Sequence, residues 1–301
     1  MPLFPGSGRG KNRKSRNDSL GIVAAHRYNA VVTAHRNLPE AGHVSIATVA
    51  VLLAYALTRV IKAPEFPVDL SLGGIRLAFN LNLDLAFAIL AAGLAASGMD
   101  WLLHDHPLRK SGRAIQHWLL PLITALVIGV ALSTLPSNWI WWLGFGVGGL
   151  LLVVVFLAEY IAVDPTDPRY PLASMALVAF SFSLYLILAT TLRSAGVRLL
   201  LMIPALFSVA LLTSLHTLYL RLGEKWEIGW SAGIALIGTQ LAVALHYWPL
   251  TPIRFGLLLL GPIYALPGLA VNLLEDVPIR RAVIEPAIML GLIWGLSVGI
   301  H

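Results

Sequence analysis

The chain has 301 residues, of which 57% are hydrophobic and only 12% charged, and its mean hydropathy is +0.79. A soluble domain carries about 25% charged residues, so a water-dispersed globule is excluded. Cysteine is absent, which removes disulfides, thiolate metal sites and cysteine nucleophiles.

The net charge of +6 is concentrated at the N-terminus, where Arg9, Lys11, Arg13, Lys14, Arg16, Arg27 and Arg36 precede any apolar block. Aromatic residues do not interleave with these charges as they do where bases stack, so no nucleic acid is expected. The expected partners are the lipid bilayer and its anionic headgroups, each basic residue near the surface contributing about 1 kcal/mol. Residues 1–42 read as a basic cytoplasmic tail. Its first 18 residues, rich in Gly, Ser, Arg and Lys, are expected to be disordered. The echo Ala25-His26-Arg27 and Ala34-His35-Arg36, set among Ile22, Val23, Val31 and Val32, fits an interfacial helix or a solvated one.

Residues 43–301 read as a transmembrane helical domain. Where water is absent, backbone polar groups must pair internally, which leaves helices or closed barrels. Barrel strands alternate apolar and polar residues, whereas these blocks are apolar all round. A span needs about 20 apolar residues, and nine stretches qualify or nearly so: 43–61, 83–99, 119–135, 139–161, 172–191, 197–220, 228–248, 253–274 and 282–300. The expected fold is all-α, a polytopic bundle of about nine spans. Between the first two, Val68, Leu70 and Leu72, then Ile75, Leu77, Phe79 and Leu81, alternate with other residues on either side of Gly73-Gly74. That pattern predicts a short outer β-hairpin.

Basic residues set the orientation. With the N-terminus inside, the tail and Arg109, Lys110, Arg113, Arg169, Arg221, Lys225, Arg280 and Arg281 fall on the inner side. Only Arg59, Lys62, Arg76, Arg193, Arg198 and Arg254 fall outside. Losing one span scrambles this division. A cell inner membrane is therefore expected, with the N-terminus cytoplasmic and the C-terminus outside. All tryptophans but Trp294 fall at predicted span boundaries, where indoles prefer to lie.

Four residues on the expected inner side are candidates for chemistry. Asp100 and His104 stand one helical turn apart, a spacing that can pair two ligands, with His117 as a possible third. A solvated loop is the competing account of these groups. Glu159 closes the fourth span and Glu285 lies one turn inside the ninth; carboxylates at such depth are paired or functional, and Arg280 and Arg281 are within reach as partners. The eighth span contains Gly261-Pro262-Ile263-Tyr264-Ala265-Leu266-Pro267-Gly268. Each proline frees the carbonyl four residues earlier, so Leu258 and Ile263 lose their usual donors. The expected result is a kink or unwound turn. Gly261, Pro262, Tyr264 and Pro267 are its candidate ligand-binding residues, with a simple proline kink as the alternative. No P-loop, His-Glu-x-x-His or Gly-x-Ser-x-Gly occurs. Gly144, Gly146, Gly148 and Gly149 read as a helix-packing stripe.

The run Gly98-Met99-Asp100-Trp101-Leu102-Leu103, then His106-Pro107 and His117-Trp118-Leu119-Leu120-Pro121, with the hairpin before it, resembles uncharacterised multi-pass membrane proteins of Chloroflexi-type bacteria, grouped as a domain of unknown function. The resemblance runs from the first span onward and implies an inner-membrane setting without an activity. Span number and orientation also look like the intramembrane aromatic prenyltransferases, which hold magnesium against a diphosphate with two Asp-rich inner loops. Here Asp100 and Asp105 have the wrong spacing and the second loop offers only Glu224 and Glu227. No catalytic residue is carried over, and neither a cofactor nor a metal is expected. The leading expectation is a non-enzymatic protein, transporter-like or an accessory subunit binding a small or lipidic ligand. The alternatives are an intramembrane transferase or hydrolase acting on a lipid-linked substrate through Asp100, His104, Glu159 and Glu285, and a structural scaffold.

Overall fold

A computed structural model describes residues 39–61, 66–72, 75–81, 83–104, 106, 115–223 and 225–299. The expected N-terminal helix and most of the loop after the second span lie outside the described residues. Nine described helices are long and apolar enough to cross a membrane. They are α1 (Ala41–Val60), α2 (Leu83–His104), α3 (Ile115–Thr134), α4 (Trp139–Ala162), α5 (Tyr170–Ser194), α6 (Leu199–Arg221), α7 (Ile228–His246), α8 (Pro252–Leu274) and α9 (Ile279–Gly299). Between α1 and α2, β1 (Phe66–Leu72) pairs antiparallel with β2 (Ile75–Leu81), Phe66 opposite Leu81 and Leu72 opposite Ile75.

The second and third spans are longer than hydropathy suggested. Asp100 and His104 end α2, and Gln116 and His117 open α3, because a helix does not stop at the first polar residue when that residue can face a polar partner. Elsewhere the sequence punctuates as expected. The Asn138 side chain caps α4 by accepting from the Ile140 N–H at 2.9 Å. Gly196 ends α5 in the left-handed conformation (φ 63°), with the Val197 N–H returning to the Leu192 carbonyl.

One packing arrangement occurs twice. In α1–α4, α1 packs on α2 and α4, α2 on α3 and α4, and α3 on α4; in α5–α8 the same pairs recur in the same order. The interval from Ile115 to Asn138 equals that from Ile228 to Thr251, and Thr251 caps α8 as Asn138 caps α4. In this register Val130-Ala131-Leu132 falls on Val243-Ala244-Leu245, Pro136 on Pro249 and Gly148 on Gly261. Two arginines repeat as well. Arg59, ending α1, donates to Ser137 and to the Leu135 carbonyl just past α3, with its guanidinium 4.7 Å from the Trp141 ring. Arg193, ending α5, donates to the His246 and Trp248 carbonyls at the end of α7, 5.4 Å from the Phe255 ring. A cation at a helix C-terminus meets the negative end of its dipole. The β1–β2 segment sits in the first unit only, where α5 and α6 of the second are joined by a short turn.

Two apolar cores follow from this plan. One is internal to the first unit, around Tyr55, Met99, Ile128 and Phe156. The other joins α3 and α4 to the second unit through Leu120, Ile123, Val127 and Val155 against Leu184, Leu206 and Leu259. Of the glycine stripe on α4, Gly148 and Gly149 do serve packing, since a Cβ there would meet Ile128 at 2.7 Å and Leu52 at 3.0 Å; Gly146 faces open space.

α8 runs unbroken through Pro262 and Pro267. The Leu258 carbonyl, which Pro262 deprives of its donor, accepts a hydrogen bond from Trp294 Nε1 of α9 at 3.1 Å. Glycine at 261 makes this possible, because a Cβ there would lie 2.7 Å from the same nitrogen. The lone mid-span tryptophan is thus a surrogate donor. Trp294→Phe keeps the ring and removes the N–H, so it should cost about 1–3 kcal/mol, read as lower resistance to denaturation in detergent. Trp294→Phe as stable as the native chain would show that this bond contributes nothing.

Candidate functional site

Among the described residues, Glu159 is a carboxylate with no solvent exposure at all. It lies one turn before the end of α4. His117, in the first turn of α3, places Nδ1 2.8 Å from Glu159 Oε2. His216, just over a turn before the end of α6, places Nε2 3.3 Å from Glu159 Oε1. The first contact is an aligned hydrogen bond. The second is a close approach without alignment, so Glu159 Oε1 and both His216 nitrogens keep hydrogen-bonding capacity in hand. Thr213 and Thr217, three and one residues from His216, bring further buried hydroxyls to the same stretch of α6, as does Ser214; none makes an aligned bond among the described residues. Tyr219 meets His117 edge to face at 6.5 Å.

The polar run extends toward the end of the bundle. His106, buried beside α2, packs edge to face on Tyr160 at 4.7 Å. Burial holds its pKa below the ordinary 6.5; Asp164 opposes that shift and His117 reinforces it. Asp164 in turn accepts from the Thr166 N–H at 2.9 Å and its hydroxyl at 2.7 Å, and Asp167 binds the Arg169 backbone and guanidinium. These turns fix the α4–α5 connection, the Asp side chains bonding the backbone and the prolines restricting it.

The candidates from sequence separate. Glu159 sits at the centre of the cluster, partnered by histidines rather than by Arg280 or Arg281. His117 joins Glu159. Asp100 is half-buried on α2 and His104 exposed at its end, each engaged with other groups. Glu285 is exposed on α9. No group of three or more His, Asp and Glu residues with metal-binding geometry occurs among the described residues. Tyr264 is edge to face with Phe182 at 4.9 Å, and Gly261 is filled against Trp294. Sequence spacing does not single out His216, a lone histidine late in the sixth span. The alternation of span direction was the signal for it: the end of the fourth span, the start of the third and the end of the sixth must share one side.

Among the described residues, nine apolar helices with charge held to their ends and one buried acid–imidazole cluster define a multi-pass integral membrane protein. The sequence profile of a family described as a protein of unknown function, DUF5656, matches residues 61–300, and the chain belongs to that family. No curated protein and no solved structure matches it.

Two outcomes follow for the cluster. Glu159→Leu strands two buried imidazoles and should lower stability by about 3 kcal/mol, with Glu159→Gln milder, both read from unfolding in detergent. His106, whose folded pKa is lowered, binds fewer protons folded than unfolded, so its stabilising contribution is full above about pH 6.5 and is lost as pH falls below that. The stability gap between the native chain and His106→Gln should therefore move against the native chain from pH 8 to pH 5; a constant gap would remove His106 as a titrating group.

Proposed function

We propose that the protein is a transporter-like inner-membrane protein in which Glu159, His117 and His216 form a proton-binding centre coupled to movement of a small or lipidic substrate. The observation that carries this is the fully buried carboxylate with one oxygen toward each of two imidazoles from different helices. An unpaired charge in a low-dielectric interior is expensive, so the cluster favours one net proton shared among the three groups. Two imidazoles flank the carboxylate as acceptors of that proton, His117 at 2.8 Å and His216 at 3.3 Å. With it on His117, the pair closes within the first unit; with it on His216, the carboxylate is drawn toward the second. His106 supplies a step between His117 and the bundle end.

The inner-membrane setting and the orientation belong to the same proposal. The division of basic residues supports a cytoplasmic tail over 1–42, in contact with anionic headgroups, with the β1–β2 segment and the C-terminus outside. In that orientation the Glu159 cluster lies near the cytoplasmic face. In a chain without native cysteine, an impermeant thiol reagent applied to intact cells should label Ser137→Cys and leave Thr166→Cys protected. The reverse pattern would invert the topology.

The coupling is tested in proteoliposomes with a trapped pH indicator and an imposed proton gradient, together with infrared difference spectra after a pH step. The native protein should pass protons above the lipid background and show a carboxyl band that Glu159→Gln abolishes. Equal flux and equal spectra in native protein and Glu159→Gln would sink the proposal.

A further inference from the structure

α7 carries a face that the other described residues leave uncovered. Gly229, Gly233, Leu236, Gln240 and Val243 follow one another in steps of four and three, so they form one line along the helix. Gly233 is half-buried and the others are exposed, Leu236 at 52%. In the first unit the matching face is closed. Leu120, Ile123 and Val127 of α3 stand where Gly233, Leu236 and Gln240 stand in α7, and all three are buried in the core shared with the second unit. In the second unit no described helix takes that place. α9 packs on α8, and α7 stays open, with a groove of about 370 Å³ beside the line, between Gly229, Gly233 and Ile237 on α7 and Leu266 and Leu269 on α8.

Two details identify what closes it. A Cβ at Gly229 or Gly233 would meet nothing within 4 Å. Packing inside the chain therefore gives no reason for glycine there, whereas a helix seated from outside approaches most closely over two glycines one turn apart. Gln240 lies in mid-span, exposed, and its amide makes no hydrogen bond among the described residues. In hydrocarbon that amide is costly unless something pairs with it. Lipid tails offer neither donor nor acceptor. A primary amide offers both, so a second Gln240 across a two-fold axis satisfies the first with the same group. All copies insert with one orientation, which makes the two α7 helices parallel and sets the axis along the membrane normal.

We propose that two copies of this chain dimerise through α7, in contact over Gly229 and Gly233 and joined at mid-membrane by a Gln240–Gln240 amide pair.

The absence of cysteine allows a direct test in native membranes. Under mild oxidation, Leu236→Cys and Val243→Cys should cross-link to dimers, while Leu53→Cys, equally exposed on α1, should not. In nanodiscs across a range of protein-to-lipid ratios, Gly233→Leu and Gln240→Leu should each weaken dimerisation at least about tenfold. The space beside Gly233 is open in the single chain, so Gly233→Leu should keep its unfolding midpoint, separating loss of the dimer from loss of the fold. Cross-linking no greater at Leu236→Cys than at Leu53→Cys would overturn the proposal. So would a native protein monomeric at every ratio, or a different protein cross-linked at α7.

Discussion

Hydrocarbon supplies no hydrogen-bond partner, and the architecture of this protein is largely the set of ways in which its polar groups find partners inside the chain. Most solutions are local. Thr124, Ser181 and Thr239 return their hydroxyls to the carbonyl one turn earlier in their own helices. Others tie helices together. Tyr55 of α1 donates to the Ala125 carbonyl of α3 at 2.5 Å, Arg59 and Arg193 close the ends of α3 and α7, and Asn272 of α8 donates to the Ala282 carbonyl of α9 at 3.0 Å. Each such bond fixes the relative height of two helices, which apolar packing alone leaves loosely set.

Among the described residues, the Glu159 cluster gathers several buried polar groups that lack an aligned partner. It lies where the two four-helix units meet: His117 and Glu159 belong to the first and His216 to the second. The corresponding positions one unit later are Trp230 and Asn272, which cannot reproduce an acid–imidazole pair. The repeated scaffold therefore carries a single polar centre, and its chemistry comes from departures from the repeat rather than from the repeat itself.

Much of the fold was legible because the membrane makes sequence rules strict. Apolar blocks marked the helices, and nine of the expected stretches match described helices. The helix-packing role of Gly148 and Gly149 was legible too. The extent of α2 and α3 was not, because hydropathy falls at Asp100 and at His117 while the helical backbone continues. Glu159 was identifiable as a buried acid in need of a partner, but its partners are 42 residues away for His117 and on another unit for His216. Neither spacing nor composition carries such contacts. The proline-containing α8 shows the same limit. Local rules foretold which carbonyl would be freed, and only the packing of α9 revealed that an indole takes it.

That indole has a consequence for the order in which the protein can be assembled. The donor for Leu258 lies 36 residues further along the chain, so α8 emerges from synthesis lacking a bond that its own sequence cannot make. Until α9 arrives, the Leu258 carbonyl lacks a donor, and α8 gains by lingering near water or by staying in contact with its insertion machinery. Among the described helices α9 has the smallest buried share, 17% of its most apolar window, yet its arrival supplies the donor that the Leu258 carbonyl lacks. α9 thus acts as a clasp on α8, giving an internal partner to a carbonyl that would otherwise face hydrocarbon.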